Sequence, residues 1–306
     1  MASSFDEIFS RPHHEFEWKE NVTPLASARV VACVVVAYVL AAIWLKRSMR
    51  GRKIKSLWVI PSAHNAILCF WSLAMFIGTA VAMKKELIKR KGDADWMLCF
   101  DPRTYKSAKG SLFYWSYVYY LSKFYELLDT ALLVLKGRPL TFLHVFHHAL
   151  VLVMTYLWLS SVQSLQHVAL LTNTAIHVVM YAYYFLTTLG FRPRWKALLT
   201  RAQIVQFVFS FACSVPFVRM HRASKRGCRG YDAWCFNAFF NAALLALFIQ
   251  FSRRTYRTNN KDAAGGKKTR AGGATGDGGR GEWGAIAAAA AAPTASGSGS
   301  SARRRR

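Results

Sequence analysis

Acidic residues are scarce in this sequence. Its 15 Asp and Glu stand against 41 Lys and Arg, a formal charge of +26 over 306 residues. Paired cysteines are missing too: the six Cys are scattered without a CxxC spacing, which argues against a zinc ribbon or a dithiol redox centre. No cleavable secretory signal is expected, because residues 1–25 are polar and the first apolar run behind them is itself long enough to act as an uncleaved anchor. Barrel and sheet readings fail because the apolar runs are too long for strands.

What is present is hydrophobic: 53% of the residues are apolar and 14% aromatic. A soluble domain would have to spread its cations over such a surface, whereas a bilayer lets apolar runs sit in hydrocarbon while the charges collect in loops and tails. Crossing about 30 Å of hydrocarbon takes roughly 18 or more mainly apolar residues. Seven runs qualify, at 26–45, 57–83, 112–135, 140–160, 165–189, 200–218 and 231–252. The expected fold is therefore an all-α membrane protein with seven transmembrane helices. An N-terminal polar segment, 1–25, precedes the membrane domain, 26–252, and a basic Gly- and Ala-rich tail, 253–306, follows it. That tail cannot bury a core and is expected to be disordered. Its charge suits anionic headgroups or a retention receptor, and no nucleic-acid-binding module accompanies it.

The basic loops after the first, third and fifth runs, together with the tail, argue for a cytosolic C-terminus and a luminal N-terminus, although the loops after the second and sixth runs are basic as well. Seven crossings put Cys99 and Cys228 in one compartment. An oxidising lumen would permit a disulfide between them; free thiols are the other reading.

Ionisable side chains inside spanning helices cost about 2.5 to 3.5 kcal/mol each on insertion scales, and here they cluster. The third run carries Lys123, Glu126 and Asp129 in KFYELLDT, and the fourth carries His144, His147 and His148 in HVFHH. The fifth carries Asn173, His177, Tyr181 and Tyr184 in NTAIHVVMYAYY, and the sixth carries Gln203 and Gln206 in TRAQIVQF. Spacings of three and four residues put each set on one helical face. Short connections then place all four sets within about 5 to 15 Å of one side of the membrane, at 1.5 Å per residue. They can form one site. His64 and His167 have no such company and read as packing or interfacial residues, while His13, His14 and His221 fall in segments expected to be exposed.

Neutral imidazole is a nucleophile and a proton carrier, so the cluster suits acyl transfer through an acyl-imidazole that a narrow cavity shields from water. Lys136, Arg138, Arg192, Arg194 and Lys196, at the expected mouth, would complement the phosphates of coenzyme A. A di-iron desaturase or hydroxylase is the competing class, because HxxHH is also one of its boxes; such enzymes need several boxes and this chain has one. A transporter or receptor would fit seven spans but gives no reason for HVFHH beside KFYELLDT.

In order and spacing, KFYELLDT, LHVFHH, NTAIHVVMYAYY and TRAQIVQF resemble the ELO family of very-long-chain fatty acid elongases, over roughly residues 25–255, and the overall appearance is nearest the plant members. The resemblance implies helices two to seven around an acyl tunnel in the endoplasmic reticulum membrane. It implies condensation of acyl-CoA with malonyl-CoA to 3-oxoacyl-CoA, without a metal or redox cofactor. The reductases and dehydratase of the elongation cycle would be partners, and a homodimer is admissible. His147 would be the acyl-accepting nucleophile or central base, with His144 and His148 beside it and His177 as its partner. Lys123, Glu126 and Asp129 would orient the histidines or engage CoA. Asn173, Tyr181, Tyr184, Gln203 and Gln206 would bind substrate or stabilise the enolate, with Gln203 and Tyr181 the preferred donors.

Overall fold

The structure, a computed structural model, describes residues 4–54 and 58–265. Within them the chain is helical: α1 (Phe5–Ser10), α2 (Ala28–Ser48), α3 (Val59–Lys89), α4 (Ser111–Glu126), α5 (Leu128–Leu135), α6 (Phe142–Ser160), α7 (Gln166–Thr188), α8 (Lys196–Ala223) and α9 (Tyr231–Gly265). Two 3₁₀ turns and one isolated bridge between Glu17 and Lys109 complete it. Among the described residues, six helices are long and apolar enough to cross a membrane: α2, α3, α6, α7, α8 and the first part of α9, to Arg253.

The expected third span is the exception, and it corrects the count of seven uninterrupted helices. The run 112–135 breaks at Leu127, where the backbone bonds tighten to the i−3 carbonyl, from Leu127 N to Phe124 O and from Thr130 N to Leu127 O. Averaged hydropathy cannot see a one-residue turn. The break matters because it resets the rotation of Asp129 and Thr130 relative to Lys123 and Glu126.

A second difference lies at the C-terminal end. Residues 253–265, expected to be disordered, continue α9 to Gly265, the last described residue, because extending an existing helix costs far less than starting one. The rest of the tail, 266–306, lies outside the described residues.

Helix α3 packs along α7, α4 against α3 and α6, α8 against α9, and α2 against α6 and α5. Gly78 lets α3 approach α4 closely, since a Cβ there would overlap the Trp115 ring. One end of the bundle is closed by aromatic packing. Phe16 and Trp18, in the N-terminal segment expected to be merely polar, are buried with Trp96, Phe100, Tyr117 and Tyr120. Trp18 N donates to Ala108 O at 2.9 Å and Gly110 N to Phe16 O at 2.8 Å. At this same end Cys99 and Cys228 are bonded to each other, and Ser164 Oγ accepts from Phe100 N and donates to Arg229 O. The loops before α4 and α9 are thereby tied together, leaving the opposite end of the bundle to hold the site.

Candidate functional site

A cavity of about 180 Å³ lies among α3, α5, α6, α7, α8 and α9, reached also by Glu126 at the end of α4. No residue of α2 lines it. Its wall includes His144, His147, His148, Asn173, His177, Tyr181, Tyr184, Gln203 and Gln206, together with Glu126 and Asp129. The four polar faces expected from spacing therefore meet in one space. Lys136, Arg138 and Lys196 line the cavity where short loops join the helices. Arg192 and Arg194 do not: both are exposed in the loop before α8, which turns them away from the lining. Burial, with the Arg138 charge alongside, lowers Lys136 to about 8.

Lys123 is not on the wall either. It lies behind Glu126, which accepts from its ammonium at 2.6 Å; both side chains are nearly sealed from solvent, and the ammonium also sits 4.0 Å from the centre of the Tyr119 ring. Ser122 Oγ donates to the same carboxylate oxygen of Glu126 at 3.2 Å, and His177 Nδ1 stands 3.8 Å from it. Lys123 thus neutralises a buried carboxylate that faces His177, an arrangement in which removing either charge strands the other. It is poorly placed to engage CoA.

Just beyond the turn at Leu127, Asp129 and Thr130 go to different partners. Asp129 Oδ1 is 2.7 Å from His64 Nε2, and Asp129 Oδ2 accepts from the Tyr181 hydroxyl at 3.0 Å. Thr130 Oγ1 lies 2.9 Å from His144 Nε2 and 2.9 Å from the Tyr38 hydroxyl of α2. Sequence reasoning missed both His64 and Tyr38. Tyr38 is a lone polar group in an apolar run and His64 stands with Ser62 and Asn65 at the start of one, so the available signal was the cost of placing such groups in hydrocarbon without partners.

Among the histidines of α6, His144 is held by Thr130, and His148 is buried with its ring 4.4 Å from that of His144 and its Nδ1 unpartnered. His147 lines the cavity, stacks on Phe240 and makes no hydrogen bond among the described residues, so its ring nitrogens are uncommitted. Asn173 is oriented from behind: the Tyr119 hydroxyl donates to its Oδ1 at 2.7 Å. Among the described residues Gln203 Nε2 has only a weak contact, 3.7 Å to Met180 Sδ. The Tyr181 hydrogen, by contrast, is spent on Asp129, which removes Tyr181 from the preferred donors.

The other histidines sit elsewhere. His167 is buried between Trp96 and Phe100 at the disulfide end, and neither ring nitrogen has a partner among the described residues. His221, expected to be exposed, is half-buried: its Nδ1 accepts from Cys228 N at 2.9 Å and its ring stacks on Tyr231, because the short loop to α9 folds back on it. Among the described residues no three His, Cys, Asp or Glu side chains converge as a metal site requires.

Comparison with known proteins bears on this arrangement. A fatty acid elongase of Dictyostelium discoideum, sre1, is 34% identical over 80% of this chain and 90% of its own length. Fatty acid elongase A of the same organism is 32% identical over 79% of this chain and 88% of its own. A fatty acid elongase 3-like protein of Arabidopsis thaliana is 30% identical over 64% of this chain and 71% of its own. Residues 23–264, which span every helix lining the cavity, match the family described as ELO: GNS1/SUR4. With its four polar helix faces gathered in one cavity between helices, this chain belongs to the ELO (GNS1/SUR4) family.

Proposed function

We propose that this protein is a fatty acid elongase that condenses a long-chain acyl-CoA with malonyl-CoA to give 3-oxoacyl-CoA, carbon dioxide and CoA. The observation that carries the reading is the setting of His147: an imidazole with uncommitted nitrogens on the wall of a narrow cavity, with Lys136, Arg138 and Lys196 also lining it and Leu143, Phe207, Phe248 and Phe251 supplying apolar surface. Cations suit the phosphates of CoA, and apolar wall suits an acyl tail.

The chemistry runs in two steps. His147 attacks the acyl thioester, an N–C bond forms, the C–S bond breaks, and the departing CoA thiolate takes the imidazole proton. Malonyl-CoA then loses carbon dioxide; the electron pair of the broken C–C bond becomes an enolate, whose carbon attacks the acyl-imidazole carbonyl and expels His147 as imidazolate, which takes up one proton from solvent to restore the neutral ring. Negative charge develops on the thioester oxygen, where fixed donors are most effective. The Asn173 amide nitrogen and Gln203 are suited to that role. His177, whose Nδ1 stands 3.8 Å from the Glu126 carboxylate that Lys123 neutralises, is placed to manage protons beside His147. No metal or redox cofactor enters this scheme.

In this reading α4 and α5 together cross the bilayer as one broken span, giving seven crossings, with the cavity mouth and C-terminus cytosolic and the disulfide and N-terminus in the lumen of the endoplasmic reticulum. A reductase, a dehydratase and an enoyl reductase would consume the product. Expression in cells lacking their own elongases, followed by acyl-chain profiling, tests the proposal. A two-carbon extension that requires malonyl-CoA is expected; a new double bond or hydroxyl at unchanged chain length would overturn it.

A further inference from the structure

Asp129 borders the cavity with both carboxylate oxygens already engaged, Oδ1 by His64 at 2.7 Å and Oδ2 by the Tyr181 hydroxyl at 3.0 Å. His64 comes from α3 and belongs to none of the four clustered polar faces. It is 4% exposed, does not line the cavity, and stacks on Tyr125 with ring centres 5.0 Å apart. A carboxylate only accepts, so His64 Nε2 carries the hydrogen in this contact. Stacking on Tyr125 fixes the ring plane, and the fixed ring aims the N–H. Tyr181 in turn lies edge-on to His177, with ring centres 5.5 Å apart.

We propose that His64 is a positioning residue of the condensing site: it pins Asp129, and through Asp129 the Tyr181 ring, against His177. This deepens the elongase reading and rests on it. Without the His64 N–H, the Asp129 carboxylate can turn about its χ2 and release the Tyr181 hydroxyl, and the wall beside His177 loses its set geometry. A misplacement of this kind slows the chemical step and leaves the distant CoA contacts intact.

Three substitutions separate positioning from packing. His64→Phe keeps a flat ring against Tyr125 but removes the donor; His64→Gln places an amide N–H near the position of Nε2 but removes the ring; His64→Asn carries a donor too short to reach. Each is measured by incorporation of labelled malonyl-CoA at equal amounts of protein retaining the wild-type Tm. His64→Phe and His64→Asn should each lower kcat about tenfold, the usual weight of a hydrogen bond to a charged group, with KM for acyl-CoA unchanged, and His64→Gln should restore most of the loss. In a Tyr181→Phe background the His64→Phe effect should shrink below about twofold, because the two residues act through one carboxylate.

His64→Phe turning over as fast as His64→Gln, or an undiminished effect in the Tyr181→Phe background, overturns the assignment. Should the Phe variant fail to fold, equal activity of the Gln and Asn variants overturns it instead. A wild-type protein that incorporates no malonyl carbon defeats the elongase reading itself, whereas an active wild type indifferent to His64 defeats only this inference.

Discussion

The Tyr119 hydroxyl donates to the Asn173 amide oxygen across 2.7 Å. An amide held by its oxygen offers its two N–H groups elsewhere, and Asn173 borders the cavity. Replacing Asn173 with Ala should therefore cut kcat by about 10² to 10³, the weight of one preorganised oxyanion donor, with little change in KM for acyl-CoA. Tyr119→Phe should produce a smaller loss in the same direction. Malonyl-dependent turnover of purified protein checks both; wild-type rates in Asn173→Ala would exclude the amide from the site.

His147 and His167 should respond in opposite ways. His147 lines the cavity with uncommitted nitrogens, so His147→Ala should abolish malonyl incorporation while the protein still folds. His167, between Trp96 and Phe100 and outside the cavity lining, keeps two nitrogens unpaired among the described residues. Burying an unsatisfied polar group costs about 1–3 kcal/mol, so His167→Phe should leave turnover near wild type and hold or raise Tm. A large loss of turnover in His167→Phe would mean that the disulfide end takes part in the reaction.

Lys136 supplies the pH prediction. Its ammonium, lowered by burial and then by Arg138 to about 8, complements phosphate only while protonated. The charged form dominates below that value and is lost as pH rises through it. KM for acyl-CoA should therefore climb between about pH 7 and pH 9, with bound phosphate moving the rise upward as it stabilises the charge. Lys136→Arg should flatten the profile, because guanidinium stays protonated throughout. A KM in the Arg variant that tracks the wild type across this range would remove Lys136 from CoA binding.

Bonding of Cys99 to Cys228, 129 residues apart, closes the end of the bundle away from the cavity. Removing such a link commonly lowers stability by about 2–4 kcal/mol. Cys99→Ala should accordingly melt several degrees lower in detergent, yet turn over at close to the wild-type rate well below its Tm. Unchanged melting under reducing and non-reducing conditions would show that the link contributes nothing to stability.

The four polar faces were readable because helical periodicity is local: His144, His147 and His148 share a side of α6 whatever surrounds them, and short loops fix which ends of neighbouring helices meet. The turn at Leu127 was not readable, since Leu is a good helix former and nothing in KFYELLDT breaks a helix by propensity. It is imposed by packing, and it decides that Asp129 turns toward α3 and α7 while Thr130 turns toward α2 and α6. Arg192 and Arg194 misled for the reverse reason: proximity in sequence to Lys196 says nothing about which way a loop side chain points.

The sequence by itself determined that this chain is a bundle of long apolar helices and which residues form each helix's polar stripe, because hydropathy and a 3.6-residue period depend only on neighbours along the chain. Tertiary structure alone decided the second layer: Lys123 behind Glu126, Tyr119 behind Asn173, His64 behind Asp129 and Tyr38 behind Thr130. Three of those pairs join residues 54 to 92 positions apart. Their partners are set by which helix faces come into contact, and no local pattern encodes that.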